Sequence, residues 1–321
     1  MFYFICWGSW IAMPGVDMPL TFPKLGPYCG TIADDPSFGD RSKNAAKSLL
    51  RTWATATSSW RALPDFLIVG AKRGGTTSLY NYLLSHPQVW SMVPKKMKIK
   101  GTYYFDVNAV DRPLAWYRSH FAFKRTLERN RAVTGEATPY YLYHPQAPRR
   151  AAALVPHAKI IVILRDPVDR AWSHHRERTA QGFEELTFSE ALDAEPVRTA
   201  GETERIKANP DYYSMAHQMW SYMDQGRYLS GLLEWERWYS PEQILVLRSE
   251  DLYVDAPAVL DRVHAFLGLE ANRLTDTRVW NFHKKSPLSN DIRQRLVKEL
   301  TDDVIALEDH LGSSMNWRSF S

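Results

Sequence analysis

The sequence predicts an α/β protein, a three-layer domain with a mostly parallel central sheet flanked by helices. Three observations carry this. Phe66 to Val69 is a short apolar run that enters a glycine-rich turn and then a helical pattern. Ile160 to Leu164 is a continuous aliphatic run, the mark of a strand covered on both faces, and a helix opened by Pro167 follows it. Gln225 to Leu269 repeats the alternation: a helix from Tyr228 to Trp238, a turn at Ser240-Pro241, a strand from Ile244 to Leu247 and a helix ending at Gly268.

Composition sets the outer limits. The 321 residues suffice for one large α/β domain or two small ones. No internal repeat is visible, so the chain divides into an N-terminal arm and helix (1–60) and one main domain (61–321). The net charge of +4 suits an anionic ligand but is too small to argue for nucleic acid. Twelve Trp and sixteen Tyr suit either core packing or an amphipathic cleft, and a count does not separate the two. The only cysteines, Cys6 and Cys29, lie in the arm, so the main domain holds neither a zinc site nor a disulfide framework. A reducing, cytoplasmic setting follows as the expectation.

The arm itself reads in three pieces. Met1 to Met13 is apolar but too short to span a bilayer, and it lacks a basic n-region. It reads as an arm packed on the domain, with a weak contact to a membrane surface as the sharper alternative. Pro14 to Gly39 is irregular, and Asn44 to Trp60 is an amphipathic helix with Leu49, Leu50 and Trp53 on one side.

The turn at Gly70-Ala71-Lys72-Arg73-Gly74-Gly75-Thr76-Thr77 carries the first chemistry. A helix starting there offers N–H groups without intrahelical partners, and its dipole favours negative charge. Lys72 and Arg73 add positive charge, and the hydroxyls of Thr76, Thr77 and Ser78 can donate to phosphate oxygens. The spacing is that of a Walker A loop, yet Thr76 stands where that loop requires lysine. This argues against ordinary ATP or GTP handling with a Mg²⁺ clamp. A second anion site is legible further on. Arg165 lies just beyond a strand end and Ser173 two turns into the next helix, so a guanidinium fork and a hydroxyl can face one anion.

The segment GAKRGGTTSLYNYLLSHPQV resembles the 5′-phosphosulfate loop of sulfotransferases that use 3′-phosphoadenosine 5′-phosphosulfate (PAPS), in their bacterial and carbohydrate-type branch. The resemblance covers residues 60–320 in three ordered blocks and implies a P-loop-like fold. It places the donor's phosphosulfate on Lys72, Gly75, Thr76 and Thr77, with Arg73, Gly74 and Ser78 as neighbours. It places the 3′-phosphate on Arg165 and Ser173, with Tyr228 near the nucleotide and Lys284 and Lys285 on a basic loop closing over it. Lys100 to Phe105, KGTYYF, is similar to the family's Lys-Glu-x-His-Phe-Phe segment, whose glutamate is the general base. Here Gly101 replaces the base and Tyr103 the histidine. Glu136, in the matched segment Thr134 to Pro145, becomes the expected replacement base. Asp106 and His120 stand in reserve, and Lys100 and Tyr103 complete the acceptor side. The implied reaction is metal-independent sulfuryl transfer from PAPS to a hydroxyl of a carbohydrate, glycolipid or other lipid or small-molecule acceptor. The alternatives are a catalytically silent protein that binds PAPS or its product, and a P-loop nucleotide kinase.

Overall fold

The computed structural model describes residues 49–92, 100–106, 111–272 and 287–320. Its centre is a sheet of five strands: β1 (Phe66–Gly70), β2 (Val89–Trp90), β3 (Val133–Ala137), β4 (Lys159–Leu164) and β5 (Ile244–Arg248). The order is β2-β3-β1-β4-β5, and every pairing is parallel. β1 is central, with Phe66 opposite Gly135 of β3 on one side and Leu67 opposite Ile160 of β4 on the other.

Period-two alternation makes this sheet the middle of three layers. Leu67, Val69, Ile160, Val162 and Leu164 project to one face, into a core shared with Tyr141, Trp235 and Trp317. Phe66, Ile68, Ile161 and Ile163 project to the other, against Leu79, Leu83 and Val263. Both faces are covered, which is why β1 and β4 read as unbroken apolar runs. Trp235, Trp317, Tyr117, Tyr141 and Tyr222 are fully buried, so packing accounts for these members of the aromatic excess.

Since all strands run the same way, the chain leaves β1, β3, β4 and β5 at one edge. Two helices start there by different means. Helix Pro167–Ala180 has Pro at its first position, and its Asp166 cap accepts from Val168 N at 3.0 Å and Asp169 N at 3.3 Å. Helix Thr76–Leu83 follows Gly75 at φ 99°, and Gly75 supplies no side-chain cap.

The stretch from Thr102 to Asp106 is a loop ending in a turn: Thr102 N donates to Glu136 and Tyr103 takes φ 54°. Leu114–Arg118 is a short helix that follows extended Pro113 and closes at Ser119. Residues 49–56 are helical, and Leu49, Leu50 and Trp53 are exposed. Cys6, Cys29, Lys284 and Lys285 lie outside the described residues, as does most of the arm. Among the described residues no helix is long and apolar enough to cross a membrane.

Candidate functional site

The loop after β1 is folded onto the end of β4. Ala71 N donates to Ile163 O at 2.8 Å, and Gly74 N donates to Ala71 O at 2.9 Å. A Cβ on Gly74 would come within 2.5 Å of Ile163 O, so this close approach requires glycine. Arg73 sits at φ 67°, in the left-handed region, which turns its side chain across to helix Pro167–Ala180.

The two anion pockets read from sequence meet on this loop. Arg73 Nε donates to Ser173 Oγ at 3.0 Å, and Arg165 Nη1 donates to the Arg73 carbonyl at 3.2 Å. Tyr228 donates its hydroxyl proton to Arg165 O at 2.7 Å, which fixes the residue at the end of β4. Lys72 Nζ donates to Gln218 O at 3.4 Å. Gln218 accepts from the Tyr213 hydroxyl at 2.6 Å through its side chain. The loop lysine therefore touches helix Met215–Met219. Thr76, Thr77 and Ser78 form the first turn of their helix. A narrow cleft beside Lys72 is lined by Tyr143, Gln225 and Tyr228.

Sequence reasoning missed one central residue, Glu177. It lies four residues beyond Ser173, on the same helix face. Its carboxylate pairs with Arg73 at 2.8 Å and with Arg178 at 2.7 Å. Burial alone would raise its pKa, but Lys72, Arg73 and Arg178 bring it down to about 2. Burial pushes Lys72 well below the ordinary lysine range, with Arg178 adding and Glu177 opposing. His174 is driven well down by burial and by Lys72, Arg170, Arg178 and Arg73. Fully buried Arg170 donates to Tyr222 O, and its Nε and Nη1 have no partner among the described residues. One carboxylate thus faces several partly desolvated cations, and such a field favours a multiply charged anion.

Lys100 is a correction. The resemblance implies a place on the acceptor side, but its ammonium lies on the glycine loop, 2.6 Å from Thr77 Oγ1 and 3.3 Å from Thr76 Oγ1. Glu136 is the second correction. It is fully buried, and both oxygens are engaged. Oε2 accepts from Thr102 N at 2.6 Å, Thr102 Oγ1 at 2.8 Å and Thr138 Oγ1 at 3.0 Å; Oε1 accepts from Tyr117 at 2.8 Å and Tyr141 at 3.3 Å. Burial raises its pKa and these bonds oppose the rise. A carboxylate so surrounded holds the turn at Thr102 and has no access to an acceptor hydroxyl. Gly101 has a steric reason too. A Cβ there would meet Ala137 O and Thr138 Oγ1, each at 2.5 Å, so the backbone excludes the family's glutamate.

The remaining candidates stay outside this cluster. His120 Nε2 accepts from Arg51 at 2.7 Å while Nδ1 donates to Trp116 O at 2.8 Å, and burial lowers its pKa to about 4. Asp106 is buried, with its carbonyl accepting from Arg150 at 2.9 Å. Tyr103 N donates to Thr138 Oγ1 at 3.4 Å.

Comparison with known proteins gives one consistent answer. The family described as "Sulfotransferase domain" matches residues 63–304. The Homo sapiens heparan sulfate glucosamine 3-O-sulfotransferase 3B1 is 32% identical over 232 residues, which is 71% of this chain and 51% of that protein. The Homo sapiens bifunctional heparan sulfate N-deacetylase/N-sulfotransferase 3 is 31% identical over 210 residues, 64% of this chain and 22% of its own length. The chain therefore spans about half or less of these relatives. The crystal structure of a sulfotransferase from Alicyclobacillus acidocaldarius superposes with a TM-score of 0.59 at 27% identity, covering 79% of this chain and 97% of the other.

Proposed function

The chain belongs to the sulfotransferase family, and from that premise we propose that it transfers a sulfuryl group from PAPS to a hydroxyl or amine of a carbohydrate. The observation that carries the donor assignment is the meeting of Arg165, Ser173 and Arg73 around one loop carbonyl and one hydroxyl. A donor with a 3′-phosphate and a 5′-phosphosulfate has one anionic group for each pocket. The 5′ end would lie on Lys72, Arg73, Gly74, Gly75, Thr76, Thr77 and Ser78, and the 3′-phosphate on Arg165 and Ser173 beside Tyr228.

The acceptor oxygen or nitrogen attacks sulfur as the bond from sulfur to the 5′-phosphate oxygen breaks, and the electron pair stays on that oxygen. Lys72, Arg73 and the helix amides offset the charge that builds there; preorganised donors of this kind often provide the largest catalytic term. The proton leaves the acceptor for water in the cleft, and Glu136 acts as a positioning residue. A carbohydrate acceptor is supported by the heparan sulfate acceptors named for the relatives. The cytoplasm is the proposed compartment, on cysteine usage alone.

Thermal shift with adenosine 3′,5′-bisphosphate and with ADP tests the donor. Stronger stabilisation by the bisphosphate is expected, and equal stabilisation by ADP would refute the assignment. The enclosed Glu136 and the glycine at 101 favour one second reading, a protein that binds the donor without turnover. Transfer of labelled sulfate from PAPS to heparan-type oligosaccharides separates the two.

A further inference from the structure

Lys100 is delivered to the glycine loop by the end of β3. Its carbonyl accepts from Ala137 N at 2.6 Å. Gly101 packs on Ala137 O and Thr138 Oγ1 so closely that no side chain fits, and Thr102 is anchored twice to Glu136. With the backbone held by these contacts, the Lys100 side chain extends to the first turn of helix Thr76–Leu83. There its ammonium meets Thr77 Oγ1 at 2.6 Å and Thr76 Oγ1 at 3.3 Å. An ammonium only donates, so both hydroxyls act as acceptors toward it. Among the described residues neither Lys100 nor Lys72 has a carboxylate within 4.0 Å. Burial pushes the Lys100 ammonium down to about 8, with Glu177 opposing and Arg73 adding. Among the described residues a cation is thus held without a close counterion at the first turn of helix Thr76–Leu83.

We propose that Lys100 is a second donor-contacting lysine, whose ammonium bonds the oxygens of the 5′-phosphosulfate together with Thr76 and Thr77. The inference rests on the PAPS reading and adds to it a cation supplied from the segment whose usual carboxylate is missing. In this chain that segment serves the donor rather than the acceptor. The turn held by Glu136 becomes the support of a phosphate-binding side chain.

Calorimetric titration of the full chain tests this with adenosine 3′,5′-bisphosphate and 3′-AMP, which share the 3′ end and differ in the 5′-phosphate. Lys100→Met should weaken bisphosphate binding by about 10–100-fold, the size of a charge-assisted hydrogen bond. It should leave 3′-AMP within about twofold, and Lys100→Arg should recover most of the loss. Unchanged or tighter bisphosphate binding by Lys100→Met would overturn the proposal, as would equal loss of both ligands in both variants. The preference of the wild-type protein for the bisphosphate over ADP judges the PAPS reading separately.

Discussion

The glycine loop and the shell around Glu136 lie at the ends of two neighbouring strands, yet they dispose of their polar groups in opposite ways. At the loop, Arg73 and Arg178 pair with one carboxylate, while among the described residues Lys72 and Lys100 have none within 4.0 Å. Around Glu136, five donors surround one carboxylate, and both of its oxygens are engaged. Unbalanced charge marks a place where a ligand completes the structure, whereas balanced charge marks a place where the structure is already complete. A motif residue can match by position and still belong to the second kind.

The largest expected effect is on the unbalanced side. Lys72→Ala and Arg73→Ala should each lower turnover by roughly 10²–10³-fold, since each removes a positive group from the developing charge. Single-turnover sulfate transfer at saturating PAPS checks this, and full turnover by either variant would strike that residue from the catalytic set. Arg165→Ala should act on affinity instead, weakening adenosine 3′,5′-bisphosphate by about 10–100-fold while ADP binding hardly changes. Equal weakening of both nucleotides would mean that Arg165 holds the loop and not the 3′-phosphate.

The balanced side should answer in stability. Glu136→Gln places an amide among five donors and should cost about 1–3 kcal/mol, read as a lower Tm, while the folded fraction keeps its kcat and pH profile. A large fall in kcat with Tm unchanged would restore Glu136 as the general base. Gly101→Glu looks like repair of the missing base, but its Cβ would overlap the Ala137 carbonyl. It should destabilise by about 1–3 kcal/mol and raise no activity. A gain in kcat would show that the Ala137 edge yields.

The sequence was most legible where one local pattern decides the outcome. β1 and β4 follow from unbroken aliphatic runs, and the fixed spacings Gly70 to Thr77 and Arg165 to Ser173 single out residues that the fold brings together. β3, with the sequence VTGEA, has no such pattern; pairing with β1 and β2 makes it a strand. The environment of Glu136 was hidden for the same reason, because Thr102 and Tyr117 reach it from distant parts of the chain. The direction of Lys100 depends on the turn that Glu136 holds, so it was hidden as well. Glu177 was within reach, since its four-residue offset from Ser173 puts both on one helix face.

The smallest expected effect tests the loop by titration. Lys100 has a pKa of about 8 in the folded protein, against 10.5 for an ordinary lysine. Between these values the unfolded chain holds a proton that the folded chain has lost, so Lys100's contribution makes the free protein more stable as pH rises through that window. Bisphosphate affinity should move the other way. An anion on the ammonium raises its pKa, so binding takes up a proton above pH 8 and weakens as pH increases. Glu177, at about 2, is ionised throughout and adds no slope, while Lys72 is also depressed and can add one. Comparing wild type with Lys100→Met isolates the Lys100 share. Calorimetry at pH 7 and pH 9, in buffers of different ionisation enthalpy, should show proton uptake that shrinks in the variant. Identical uptake in both proteins would assign the whole effect to Lys72 and leave Lys100 a bystander to the anion.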